Sequence, residues 1–221
     1  MDTEDGRVGS LPPPWGSMPA LAIPESVPFQ INSMRWEDIS EVMEIERRTF
    51  SMPWSMRAYE QELLRNPNAH YLVLRPREVR TALLPLPPQR LPILGYGGFW
   101  LVPDEAHIST IAVDGPWRGR GLGELMFLAL LEEAIACGAN LITLEVRASN
   151  TVAQRLYQKY GLEIVGRRPR YYRDNLEDAL LMSVEEVRST AYRERLEALK
   201  AQLWARLQAA GPISTHRSAP N

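Results

Sequence analysis

The stretch from His107 to Cys137 limits the folds open to this chain more than any other segment. His107-Ile-Ser-Thr-Ile-Ala-Val-Asp alternates like a strand, and Gly-Pro-Trp-Arg-Gly-Arg-Gly-Leu-Gly turns the chain. Gly121 to Cys137 then carries the apolar stripe of a long helix that closes on Gly138, a natural C′ residue. A further strand, Leu141-Ile-Thr-Leu-Glu-Val-Arg, follows. Upstream, Phe29-Gln-Ile-Asn-Ser-Met reads as a first strand, and Ile39, Val42, Met43 and Glu46 fall at helical spacing. Ser55 is a plausible N-cap for a helix from Met56 to Leu64. His70 to Leu74 and Ile93 to Val102 are two more strands. Downstream come a helix from Thr151 to Tyr160 closed by Gly161, then strands at Leu162 to Arg167 and Ala179 to Val187. Adjacent strands interleaved with crossover helices imply an α/β (α+β) fold: a mixed central sheet of about seven strands flanked by helices.

Prolines mark what lies outside that unit. Of 18, six occur at or before Pro28, five between Pro76 and Pro92 and two from Pro212 on. Residues 1–28, with Pro12-Pro13-Pro14, glycine and serine, read as a flexible arm without structure. Proline cannot donate to a strand ladder, so 76–92 reads as an insertion. The expected core is therefore 29–187. In 188–221, Tyr192, Leu196, Leu199, Leu203 and Leu207 stripe an otherwise charged extra helix that packs on this chain or on a partner.

Twenty-five Lys and Arg against 27 Asp and Glu give a net charge of −2. That balance excludes a nucleic-acid coat and a polybasic membrane anchor, both of which need excess positive charge. The single cysteine, Cys137, excludes an intramolecular disulfide, and His70, His107 and His216 show no ligand spacing, so no metal site is expected. Cys137 at a helix C-terminus, with no histidine near it in sequence, is a poor nucleophile. An acidic start and the lack of an 18-residue apolar run point to a cytoplasmic protein.

The turn after the strand carries the chemistry. A strand, a basic glycine-rich loop and a helix aim free backbone N–H groups and the positive end of a helix dipole at one point, which suits phosphate oxygens. Gly119, Gly121 and Gly123 let the backbone approach an anion, and Arg118 and Arg120 supply charge. The run lacks the Lys-Ser/Thr ending of a nucleoside-triphosphate loop and the GxGxxG spacing of a dinucleotide loop.

What it does match is RxxGxG, at Arg118, Gly121 and Gly123, the coenzyme A pyrophosphate motif of the GNAT acetyltransferase superfamily, which the chain resembles. Leu144-Glu-Val-Arg-Ala-Ser-Asn-Thr-Val-Ala-Gln-Arg-Leu-Tyr-Gln-Lys-Tyr-Gly-Leu is similar to LEVRxSNxxAxxLYxxxGF of its RimI-like branch, the ribosomal-protein-alanine N-acetyltransferases, with Leu162 in place of the final Phe. Arg170-Tyr-Tyr-Arg-Asp-Asn-Leu-Glu-Asp-Ala resembles the YYxxxxEDA hairpin of that branch. Phe50-Ser-Met-Pro-Trp-Ser resembles its FPWS-type loop, with two residues between Phe and Pro instead of none.

The resemblance implies acetyl-CoA as co-substrate and a protein N-terminus, ribosomal by branch, as acceptor. It implies Glu145 as general base and Tyr157 as general acid. Coenzyme contacts are implied at Ile111, Ala112, Val113, Arg118, Gly119, Arg120, Gly121, Leu122, Gly123, Glu124 and Asn150, with the Val113 N–H on the acetyl carbonyl. Phe50, Trp54, Tyr171 and Tyr172 are implied to clasp the acceptor. Local chemistry leaves alternatives: a strand salt bridge from Glu145 to Arg147, core packing for Tyr157, an N-cap for Asn150 and strand-edge aromatics for the tyrosines. An α-amine of pKa about 7.8 is about 400-fold more often neutral at pH 7 than a lysine amine of about 10.4, so it asks less of a base. Rival readings are an acetyltransferase acting on lysine, other N-termini or a small amine, and a binding module that has lost catalysis. Retention of both Glu145 and Tyr157 argues against the module.

Overall fold

β2 explains the layering. Within Ala69–Pro76, Leu72 and Leu74 enter one buried cluster while Tyr71 and Val73 enter another, so period-2 alternation loads both faces of the sheet. The computed structural model describes residues 19–77 and 91–209. Its sheet has seven strands in the order β1-β2-β3-β4-β5-β7-β6. In chain order these are β1 Phe29–Ser33, β2, β3 Gly95–Val102, β4 Glu105–Val113, β5 Leu141–Arg147, β6 Glu163–Tyr172 and β7 Glu177–Val184. Helices α1 (Ile39–Thr49) and α2 (Met56–Arg65) pack one face; α3 (Leu122–Ala136) packs the other, and α4 (Thr151–Lys159) connects β5 to β6. Among the described residues the only parallel pairing is β4 with β5, across the α3 crossover.

That pairing is short. Glu105 to Ile108 pair with Leu141 to Leu144, and beyond Ile108 and Leu144 the two strands are no longer partners. The register between β3 and β4 supplies the cause. Gly98 pairs with Thr110 and Phe99 with Ile108, which leaves Ser109 as one extra residue on β4, a bulge that bends the strand where it leaves β5. Ser109 Oγ donates to the Gly98 carbonyl at 3.2 Å, and a Cβ on Gly98 would sit 2.3 Å from the Tyr71 ring of β2, so the neighbouring strand leaves room only for glycine there.

α3 is apolar around almost its whole circumference, and such a helix needs cover on its outer side. α5 (Thr190–Ala209) supplies it from the same chain: Tyr192, Leu196, Leu199, Leu203 and Leu207 are all buried. Tyr192 donates to the Tyr160 carbonyl at 2.9 Å, Lys200 pairs with Glu132 at 2.6 Å and Arg206 pairs with Glu124 at 2.6 Å. The proline-rich arm requires correction for the same reason. Leu21 and Val27 are buried in the α3 cluster, Ala20 N–H donates to Glu133 at 2.8 Å and Gln208 donates to Ser26 at 2.8 Å. Residues 19–28 are thus part of the fold, while 1–18, 78–90 and 210–221 lie outside the described residues. At the insertion, Pro76 still pairs with Phe29 as the last residue of β2. Leu203→Ala is expected to destabilise the protein by about 2–5 kcal/mol, the usual cost of emptying a fully buried leucine site. Urea unfolding should read this as a lower midpoint at an unchanged slope.

β6 also runs further than the sequence pattern suggests, to Tyr172 and through Pro169. It is the edge strand, where a missing N–H costs no sheet bond, and a register shift between Arg168 and Tyr172 absorbs the irregularity. Among the described residues, no helix is long and apolar enough to cross a membrane.

Candidate active site

The parted strands make a fork, and Glu145 is the first residue of β5 past the point of parting. Its side chain is 7% exposed. The salt bridge to Arg147 that i,i+2 spacing offers does not form. Glu145 instead faces His107 Nε2 at 3.0 Å and Arg168 Nη2 at 3.2 Å. The hydrogen bond from His107, opposed by partial burial and reinforced by the charges of His107 and Arg168, holds this carboxyl below its ordinary 4.5, so it is ionised at neutral pH. Arg147 turns to the hairpin, pairing with Asp174 at 2.8 Å and Glu177 at 3.1 Å and lying 3.9 Å over the Tyr172 ring.

His107 is the residue that sequence reasoning missed. Its Nδ1 lies 3.1 Å from Thr143 Oγ1, and the Thr143 hydroxyl donates to Glu105 at 2.8 Å, so the histidine is braced from β5 and from its own strand. Its ring stacks on Trp100, and Trp100 stacks on Trp54, with centroids 5.9 and 6.1 Å apart. An aromatic path therefore leads from the α1–α2 loop to Glu145. The signal was a shared face on neighbouring strands, with His107 opposite Thr143 and Thr143 two positions before Glu145, which emerges only once β4 and β5 are known to pair.

Buried Glu46 fixes the loop end of that path. It accepts from Trp54 N–H at 2.9 Å and from the Tyr96 hydroxyl, and burial is the main reason its pKa is raised. Phe50 and Trp54 pack on the α1–α2 side of the sheet. Ser51 Oγ donates to Asp174 in the β6–β7 turn, so the loop and the hairpin meet. Tyr171 and Tyr172 contact edge to face at 5.3 Å, and Arg168 lies 5.6 Å from the Tyr171 ring. Arg168, Tyr171 and Tyr172 thus stand close to Glu145, and the 50–55 loop is linked to it through the Trp54–Trp100–His107 stack and the Ser51–Asp174 contact.

Tyr157 packs against Phe127 with ring centroids 4.8 Å apart. Burial, with a smaller contribution from nearby Tyr172, raises its pKa, so the phenol keeps its proton at every working pH. It is a half-buried core aromatic that stands beside Tyr172, one of the tyrosines expected at the acceptor.

At the other arm of the fork, Ile111, Ala112 and Val113 end β4 and lead through Gly115–Trp117 into the glycine loop. Gly119 and Gly121 take φ of +75° and +80°. The first hydrogen bond of α3 runs from Leu125 N to the Gly121 carbonyl at 3.0 Å, so the N–H groups of Leu122, Gly123 and Glu124 occupy the turn that has no helical acceptor. Backbone donors, a helix N-terminus and the exposed Arg120, 5.0 Å over Trp117, make this end of the fork suited to a pyrophosphate.

Three expected coenzyme side chains are engaged elsewhere. Arg118 Nε donates to the Val113 carbonyl at 2.9 Å and its Nη2 to Thr49 at 3.1 Å, which braces the end of β4. Glu124 is held by Lys159 at 2.5 Å, Arg206 at 2.6 Å and the Tyr160 hydroxyl at 3.0 Å; burial opposes its ionisation and the two cations prevail, keeping its pKa low. Its position offers a ligand the backbone N–H alone. Asn150 is the N-cap of α4, accepting from Ala153 N–H at 3.1 Å.

The chain is similar to known proteins in sequence and in fold. Residues 39–162 match the acetyltransferase (GNAT) family. A Bacillus subtilis protein provisionally named ribosomal protein bS18-alanine N-acetyltransferase is 42% identical over 154 residues, 70% of this chain and 93% of its own length. The Mycobacterium tuberculosis N-alpha-acetyltransferase RimI is 30% identical over 164 residues, 72% of this chain and 93% of its own. The crystal structure of the Escherichia coli ribosomal-protein-S18-alanine N-acetyltransferase superposes with a TM-score of 0.60 at 28% identity, covering 72% of this chain and 94% of that one.

Proposed function

The chain belongs to the acetyltransferase (GNAT) family, and on that footing we propose that it transfers the acetyl group of acetyl-CoA to the N-terminal amine of a protein, the N-terminal alanine of ribosomal protein bS18. The observation that carries this reading is the fork between β4 and β5. It has anion-binding backbone at one arm and an ionised, braced carboxylate at the other.

In this reading the loop from Arg118 to Glu124 holds the pyrophosphate through backbone N–H groups, with Arg120 adding charge. The end of β4 at Ile111 to Val113, paired with β3 but no longer with β5, offers main-chain groups on its open side to the pantetheine arm, and the Val113 N–H polarises the thioester carbonyl. Glu145 accepts the proton of the incoming ammonium, directly or through a water, and His107 orients the carboxylate. Because Glu145 titrates below 4.5 and an α-amine near about 7.8, the transfer runs uphill by more than about 4 kcal/mol, so the carboxylate starts the transfer and does not store the proton. Tyr157, always protonated, hydrogen-bonds the departing thiolate. Phe50, Trp54, Tyr171 and Tyr172 clasp the acceptor's first residues, and the contact of Ser51 with Asp174 ties the two sides of that clasp.

The test is coenzyme thiol release with two peptides, one bearing the bS18 N-terminus with a free alanine and one with a blocked N-terminus and an internal lysine. The free alanine peptide is expected to react faster by about 100-fold or more, in line with the about 400-fold difference in neutral amine. Release only with the blocked lysine peptide would overturn the acceptor, and no release with either would overturn the enzyme reading.

A further inference from the structure

At the far end of α3 from the glycine loop, about 20 Å away along the helix, the fold assembles a second cluster that acetyl transfer does not use. Glu133 in the last turn of α3 and Cys137, its C-cap, stand four residues apart on one side, and His70, the second residue of β2, faces them. Cys137 Sγ lies 3.7 Å from His70 Nδ1, and one ligand atom from each of His70, Glu133 and Cys137 falls within 4.8 Å of the others. No other group of three such side chains at this spacing occurs among the described residues.

Geometry and chemistry agree on what this cluster suits. Around a tetrahedral Zn²⁺, sulfur, imidazole nitrogen and carboxylate oxygen sit about 3.4–3.6 Å from one another. The observed sulfur–nitrogen separation is already 3.7 Å. Two anchors hold the ligands. The His70 ring lies flat on Phe99, with centroids 4.8 Å apart and planes at 4°, and Ala20 N–H donates to Glu133 Oε2 at 2.8 Å. A thiolate, an imidazole and one carboxylate favour zinc or a neighbouring late transition metal over magnesium or calcium, which require oxygen donors. All three residues are half-buried, so an ion can reach them and a water can complete the shell.

We propose that His70, Glu133 and Cys137 form a three-ligand site for Zn²⁺, with water in the fourth position. As the metal–sulfur bond forms, the Cys137 thiol releases its proton to solvent, and nothing is oxidised or reduced. The ion joins β2 to the end of α3, with residue 20 held through Glu133. Its role is structural, and it stands independently of the acetyl-transfer reading.

The test uses the full chain, reduced, stripped of metal and free of coenzyme, whose own thiol would compete. Co²⁺ is the spectroscopic probe, and Zn²⁺ is titrated against a chromogenic chelator. One equivalent per chain is expected, with a sulfur-to-cobalt charge-transfer band in the parent that is absent in Cys137→Ser. His70→Gln and Cys137→Ser should each bind Zn²⁺ on the order of 100-fold more weakly, since loss of even an outer-shell partner costs 10–100-fold. Glu133→Gln, which keeps the shape of the side chain and its acceptor for Ala20, provides a variant that folds as the parent does. Zn²⁺ should raise the melting temperature of the parent and leave that of Cys137→Ser unmoved. Equal affinity in the parent and in all three variants, or a cobalt spectrum without the sulfur band, would overturn the site.

Discussion

Glu145→Gln is expected to lower kcat by about 10²–10⁴-fold, the usual contribution of a positioned general base, and to leave coenzyme affinity unchanged. The substitution keeps the volume and the hydrogen-bonding reach of the side chain but removes the charge that His107 and Arg168 converge on. Arg168 is 54% exposed and can rehydrate, so the fold tolerates the change. The end of the fork proposed to hold the pyrophosphate lies on a different strand and loop, which is why binding and turnover should separate. The sign of the pH dependence follows from the same contacts. A carboxyl held below 4.5 is mostly ionised by pH 5 and essentially fully ionised at neutral pH, so its titration removes little activity between pH 5 and 7 and none between pH 7 and 9. The rate should rise across that range with the neutral fraction of the acceptor amine. Turnover by Glu145→Gln equal to the parent's would remove Glu145 from the mechanism; isothermal titration with coenzyme A measures the other half of the claim.

Gly121→Val acts on the opposite arm and should show the reverse pattern. With φ at +80°, Gly121 occupies a conformation that a β-branched residue does not tolerate, and a Cβ there would stand 3.3 Å from Leu207 Cδ2 and 3.8 Å from Leu203 Cδ1. The loop must relax away from the geometry that aims the first N–H groups of α3, and binding must then restore it. Backbone strain of about 1–3 kcal/mol corresponds to a loss in coenzyme affinity of about 5- to 150-fold. Gly119→Ala isolates the backbone effect: φ is +75°, but nothing lies within 4 Å of the added methyl, so its loss should be smaller. Unchanged coenzyme affinity in Gly121→Val would contradict the assignment of this loop.

Helix and strand periodicity made most of the architecture legible. β5 spans Leu141–Arg147 as its apolar run indicated, and Ser55 caps α2 through Ala58 N–H. The glycine loop stood out because its signal is local: spacing, charge and a following helix all fall within a dozen residues. Partners distant in sequence were not legible. Glu145 could be located, yet its contacts come from β4 and β6, 38 residues before it and 23 after, and the nearby Arg147 was drawn instead to Asp174, 27 residues on. Cys137 lacks a histidine near it in sequence but has His70, 67 residues away, at 3.7 Å. The arm failed for a different reason. Leu21 and Val27 show no periodicity, and their burial is dictated by an α3 surface too apolar to be left in water.

Mass spectrometry of bS18 from ribosomes tests the central claim most directly, comparing cells that lack this protein with the same cells carrying the parent or Glu145→Gln. The account predicts an acetylated N-terminal alanine with the parent, and a free amine both in the deletion and with Glu145→Gln. Full acetylation of that alanine in the deletion, or a change confined to lysine side chains, would contradict it.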